Sequence, residues 1–268
     1  MIDDTKIRDY IISPNLSGED LTQEVAGVDQ LGNRIDVAVI EERPLTIFLN
    51  NQEIVTAMTI GDYPEYLALG FLRNQKMLSN KDKVDAIDFD AELNSIVIRT
   101  KRKTNYEDKL KKKTQTSGCA VGTVFGDIMD GIDGLKISAI STKVSHLYSL
   151  SSKINRTPSL YLKAGAIHGT ILCHQDKPLV YMEDVGRHNA LDKLIGNNLI
   201  NNQIDPMAQF VACSGRLNFE LVQKVLMTNI GIMIGVGAPT SLAIDLANKF
   251  DITLVGFVKR DSFNIYTN

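Results

Sequence analysis

Short apolar runs separated by helical stretches dominate the second half of the chain and narrow its possible folds more than any other feature. Pro178–Glu183, Gln209–Cys213, Gly231–Val236 and Ile252–Val258 read as strands. Asn189–Asn198, Phe219–Thr228 and Thr240–Lys249 read as the helices between them, and Val144–Ile154 as one before them. Continuous apolar strands need both faces covered, so this alternation predicts an α/β sheet with helices on either side. Leu160–Cys173 reads as a further strand paired with Pro178–Glu183. No internal repeat interrupts the pattern.

The first third reads differently, as a small β-rich module around one helix. Ile35, Val37 and Val39 alternate with polar neighbours through Arg34–Glu41. Pro44–Leu49 is a second strand, and Asn50-Asn51 turns it into Gln52–Val55. Asp62 is placed as a helix N-cap ahead of Pro64, with Leu67, Leu69, Phe71 and Leu72 on the apolar face. Val84–Phe89 and Ser95–Arg99 follow as strands. A basic stretch from Lys101 through Lys113, then small polar residues to Gly118, marks the domain junction. The expected division is a small α+β module over residues 1–115 and an α/β domain over residues 116–268. The lysines themselves suit a solvated loop or an anion site.

Composition limits function. The 268 residues are 44% hydrophobic, enough for a sizeable core, and the net charge of -3 excludes a dedicated nucleic-acid binder. No apolar run approaches the ~20 residues that span a bilayer, and Asp3-Asp4 stand where a secretory signal carries positive charge. A cytoplasmic location is the expectation. Three cysteines cannot all pair within one chain, and none sits in a zinc-type spacing. Cys173 and Cys213 lie in apolar runs and read as buried strand residues. Cys119 lies between Gly118 and Ala120-Val121-Gly122, where a thiol activated by nearby cations would be approachable.

Glu183-Asp184-Val185-Gly186-Arg187-His188-Asn189 is the densest run of chemically capable side chains. It is either a salt-bridged strand–helix corner capped by Asn189 or a binding corner. In the second case Arg187 would grip phosphate bidentately and His188 would move a proton near neutral pH. His168, amid small residues, is open to the same two readings. Ser214-Gly215-Arg216 with Glu220 forms another polar corner, with Arg216 at a helix start suited to an anion. His146 and His174 are read as structural.

Taken in order, these segments resemble the formate dehydrogenase accessory family of FdhD-type sulfurtransferases. The resemblance runs from Glu42-Arg43-Pro44-Leu45 through Cys119, Gly165-Ala166-Ile167-His168 and Glu183–Lys193. It continues through Ser214-Gly215-Arg216 and Ala238–Ala243 to Asn264-Ile265-Tyr266-Thr267. It implies a mixed-sheet, three-layer domain similar to cytidine deaminases but without their zinc, usually as a homodimer. It further implies that Cys119 receives sulfur from a cysteine desulfurase as a persulfide. That sulfur would pass to the molybdenum bis(molybdopterin guanine dinucleotide) cofactor destined for formate dehydrogenase. Phe257, Val258, Lys259, Arg260, Asp261 and Ser262 fall in the family's cofactor-binding stretch, to which the residue reading adds Arg187, His188 and Arg216.

Two departures stand out. Gly122 replaces the second cysteine of the family's Cys-x-x-Cys, and Lys259 and Ser262 stand where arginines are common, with Arg260 one position away. The rival reading is a chaperone that delivers the cofactor without moving sulfur. A zinc deaminase would need His-x-Glu and Pro-Cys-x-x-Cys, whereas His168 is followed by Gly169-Thr170.

Overall fold

A computed structural model describes residues 11–15, 20–79, 82–101, 137, 140–157, 159–201, 210–259 and 262–267. Twelve strands among these residues form three sheets. The largest has six strands in the order β12-β11-β10-β9-β7-β8. In chain order these are β7 (His168–His174), β8 (Lys177–Asp184), β9 (Phe210–Cys213), β10 (Ile232–Gly235), β11 (Thr253–Gly256) and β12 (Asn264–Ile265). β9, β10 and β11 run parallel, while β7 lies antiparallel to both β8 and β9.

The burial of these strands explains their sequence. Leu172, Val180, Met182, Val211, Met233 and Leu254 face one core. Ile171, Cys173, Tyr181, Phe210, Ala212, Ile232 and Val255 face the other. Helices α4 (Arg187–Asn201), α5 (Phe219–Leu226) and α6 (Ser241–Lys249) supply the first core with Leu191, Leu194, Val222, Val225 and Leu246. Helix α2 (Val144–Arg156) covers the second with Leu147 and Leu150. Each such fully buried aliphatic side chain contributes about 1.5–3 kcal/mol of transfer free energy. Cys173 and Cys213 are buried in these strands as expected, with burial pushing both thiols up, Cys213 to about 12. Neither can form a thiolate at neutral pH.

The N-terminal part builds a four-stranded sheet in the order β4-β3-β6-β5. Its strands are β3 (Arg43–Leu49), β4 (Gln52–Thr59), β5 (Val84–Asp90) and β6 (Ser95–Thr100), with helix α1 (Pro64–Asn74) packed on one face. Glycines bring α1 against α4. A Cβ on Gly70 would lie 1.9 Å from the Asp192 carbonyl oxygen, and one on Gly196 1.9 Å from that of Tyr66. Backbones this close leave no room for any side chain at either position.

Four elements differ from the sequence expectation, the first being β12, which follows Ile252–Val258 where the sequence reading ends its strands. Leu160–Ala164 is a short helix, α3, so the strand begins only at His168. The Glu183 carboxylate accepts the amide hydrogens of Leu160 and Tyr161 at 3.1 Å each, so a residue far along the chain caps this helix. Asp62 is not the cap of α1; that position is Tyr63, at φ 47° and with no side-chain bond. Asp62 is drawn away because it pairs with Lys193. The hairpin of β1 (Thr22–Val28) and β2 (Arg34–Ile40) has only its second strand visible in the sequence. β1 is exposed along most of its length and lacks the one-sided apolar pattern that marks a strand.

Candidate cofactor-binding site

Strand polarity decides where the functional side chains meet. β8 pairs antiparallel with β7 and β7 with β9, so β8 points the same way as β9, β10 and β11. Their carboxyl ends share one edge with the first residue of β7. His168 registers with Asp184, and Gly235 with Cys213. Chain reversal at this edge starts α4 after β8, α5 after β9 and α6 after β10. Helix starts at strand carboxyl ends offer backbone N–H groups to an anion.

The turns at this edge are tied to each other. The Gly237 amide donates to the Gly215 carbonyl at 2.9 Å, and the Phe257 amide donates to the Gly237 carbonyl at 3.2 Å. A Cβ on Gly237 would come within 2.6 Å of the Gly215 oxygen, so the close approach requires glycine there. Phe257 itself holds φ 52° and is exposed at this rim.

His168 closes the side of the site. The Gly169 amide donates to the Ser214 hydroxyl oxygen at 3.0 Å, and that hydroxyl lies 3.0 Å from His168 Nδ1. With two lone pairs and one proton, the Ser214 hydroxyl satisfies Nδ1 in either ring tautomer. Burial, and then the charges of Arg187 and His188, hold the His168 pKa below the ordinary histidine value. The ring is therefore neutral at pH 7 and not a cation. Arg216 is exposed in the turn after Gly215 and forms no ion pair among the described residues.

Behind this edge lies a buried charge cluster. Lys193 has no solvent exposure and contacts Asp184 at 2.6 Å, Asp62, and the Glu183 carbonyl at 3.0 Å. Burial works against its charge, yet Asp184 and Asp62 hold its ammonium pKa above the ordinary lysine range. Asp184 also accepts from Thr59 at 2.5 Å and from Asn189 at 3.0 Å. Asn189 donates onward to the Met58 carbonyl at 2.8 Å, so it sits inside α4 and staples β4 to the corner instead of capping the helix. His188 meets Glu220 at 2.9 Å and lies 3.3 Å from Asn218, in the turn after β9. Beside it Lys224 pairs with Asp192 at 2.7 Å, and Asp192 also accepts from Asn74.

The structure thus gathers Arg187, Arg216, Phe257 and His168 at one edge. Val258 lies in that stretch with its side chain in the core, 2% exposed, while Lys259 and Ser262 are exposed and joined by a Lys259 amide to Ser262 carbonyl bond of 2.8 Å. Cys119, Arg260 and Asp261 lie outside the described residues. Sequence reasoning did not find Lys193 as the hub of the corner. The available signal was an adjacent acid and base, Asp192-Lys193, set within the apolar face of Ala190, Leu191, Leu194 and Ile195. Among the described residues no group of three or more His, Cys, Asp or Glu side chains could hold a metal ion, and no helix is long and apolar enough to cross a membrane.

Comparison with known proteins places this arrangement. Residues 40–268 match the FdhD/NarQ family. The sulfur carrier protein FdhD of Sulfurisphaera tokodaii is 33% identical over 240 residues, covering 87% of this chain and 91% of its own. That of Bacillus pumilus is 30% identical over 237 residues, covering 86% and 88%. The crystal structure of a protein described as a formate dehydrogenase accessory protein, from Desulfotalea psychrophila, superposes with a TM-score of 0.72 at 22% identity, covering 92% of this chain and 97% of its own. With a family match over most of its length and relatives that span nearly all of it, the chain belongs to the FdhD/NarQ family.

Proposed function

We propose that this chain is a sulfur carrier and sulfurtransferase in the maturation of a formate dehydrogenase. Cys119 takes sulfur from a cysteine desulfurase, and the edge of Arg187, Arg216 and Phe257 binds the molybdenum bis(molybdopterin guanine dinucleotide) that receives it. What carries this reading is the convergence of three helix starts, two arginines and an exposed aromatic ring on one sheet edge of a chain whose relatives are named sulfur carriers. The guanine-dinucleotide tails bring pyrophosphates for the guanidinium groups and a base that can lie on Phe257. His168, neutral at pH 7, adds a polar contact without adding charge. Lys259, Arg260, Asp261 and Ser262 continue the same stretch, with Arg260 supplying a further cation.

In the transfer, the Cys119 thiolate attacks the outer sulfur of the desulfurase persulfide. That sulfur–sulfur bond breaks, the desulfurase cysteine leaves as thiolate, and Cys119 becomes the persulfide. Release of the sulfur as sulfide to the cofactor consumes two electrons, which a thiol reductant supplies. Gly122 provides no second thiol three positions after Cys119, so that reductant is not a neighbour in sequence. A deaminase-like arrangement of the larger sheet and a cytoplasmic homodimer belong to the same reading; light scattering of the purified protein tests the dimer.

The deciding experiment is mass spectrometry after incubation with a cysteine desulfurase and cysteine. The Cys119 peptide should gain the mass of one sulfur atom, and Cys119→Ala should lose the gain while still binding guanosine diphosphate. A Cys119→Ala protein that still matures active formate dehydrogenase would overturn sulfur carriage and favour the chaperone reading, which Gly122 prompts.

A further inference from the structure

A cavity of about 430 Å³ opens between β4, α1, α4 and α5, with His188 in its wall. Its size falls within the range of small-molecule sites. Met58, Phe71, Val55 and Val185 give it apolar walls. Its polar lining is lopsided toward acceptors. Three carboxyl groups, Glu42, Asp192 and Glu220, line it with one lysine, Lys224, which Asp192 engages at 2.7 Å, and with His188, which meets Glu220 at 2.9 Å. Two side-chain oxygens lining it, Asn74 Oδ1 and Gln223 Oε1, are buried and accept no hydrogen bond. Asn74 and Gln223 are only 1% and 2% exposed. The Asn74 orientation is fixed by chemistry, because its nitrogen donates to the Asp192 carboxylate, which can only accept. A buried acceptor without a donor is costly, and here two of them share a carboxylate-rich cavity with an aromatic wall.

We propose that this cavity is a binding site for a small organic cation of the amidinium or guanidinium class. Its N–H groups would meet Asn74 Oδ1, Gln223 Oε1 and the acidic lining, and its apolar part would rest on Phe71 and Met58. The proposal stands on the cavity alone and is independent of sulfur carriage by Cys119.

The test titrates benzamidine into the intact protein by calorimetry, with uncharged benzamide as control. Benzamidine should bind one per chain with a Kd at or below about 1 mM, and benzamide at least about tenfold more weakly, since hydrogen bonds to charged groups are the stronger kind. Gln223→Met should weaken benzamidine at least about fivefold, and Ala57→Phe, at the cavity wall, should abolish binding. In the unmodified protein, nuclear Overhauser contacts should join the benzamidine ring to the Met58 methyl, so the answer does not depend on either variant folding. Absence of saturable benzamidine binding, equal affinity for benzamide, or ring contacts elsewhere on the surface would each overturn the proposal.

Discussion

The corner behind β8 and the edge in front of it are built from neighbouring residues of one sequence run, yet they use charge in opposite ways. In the corner every carboxylate is engaged. Glu183 caps α3, Asp184 holds Lys193, and Asp192 holds Lys224. At the edge, Arg216 projects into solvent without an ion pair among the described residues, and Phe257 is exposed beside it. The difference separates fold from function. Charges that are buried must find opposite charges within the protein, because desolvation would otherwise exceed any gain. Charges left at a rim are available to a ligand. A run as dense as Glu183–Asn189 therefore does not have one purpose; its acids and Asn189 fasten the N-terminal sheet to the larger one, and Arg187 opens α4 at the carboxyl edge.

The largest expected effect comes from breaking the corner. Lys193→Met leaves Asp184 and Asp62 without their cation and should cost about 3–5 kcal/mol, read by urea denaturation. Adding Asp184→Asn to that variant should recover part of the loss, since paired residues are not additive. A loss below ~1 kcal/mol would show that the cluster does not hold the two sheets together.

Next comes the helix contact. Gly70→Ala should destabilise by about 1–3 kcal/mol through overpacking against the Asp192 carbonyl, measured in the same way. Unchanged stability would mean that α1 and α4 can separate without cost.

A smaller effect is a pH dependence. His168 has a lowered folded pKa, so the unfolded chain takes up its proton first as pH falls. Its contribution is fully present above the unfolded value of about 6.5 and is lost as pH drops from there toward the folded pKa. Stability measured from pH 7.5 to 5 should therefore fall less steeply for His168→Gln than for the unmodified protein. Parallel curves would contradict the assignment.

Much of the fold can be read in the sequence because its signals are local. The strands of the large sheet are short apolar runs such as Phe210-Val211-Ala212-Cys213, and the helices between them have clear apolar faces. The misread elements are those decided by distant partners. Leu160–Ala164 resembles a strand locally and becomes a helix because Glu183, across the fold, accepts two of its amide hydrogens. Asp62 has the composition of a cap but answers to Lys193, 131 positions later. The edge is legible in part: Arg187 and Arg216 follow β8 and β9 at the same carboxyl edge, which glycine turns after strands locate in a parallel sheet. His188, one residue past Arg187, lies on another side of α4 and meets Glu220, a partner 32 positions later that local pattern does not reveal.

The smallest stability effect is the most informative. Arg216→Ala should change stability by no more than ~0.5 kcal/mol, as expected of an exposed side chain. Guanosine diphosphate, which reproduces the tail of the proposed cofactor, should bind this variant about tenfold or more weakly, since the lost contact is charge-assisted. Calorimetric titration of guanosine diphosphate into both proteins measures this directly. Weakened binding with an unchanged unfolding curve is the predicted result; unchanged affinity would contradict the division of charge between corner and edge.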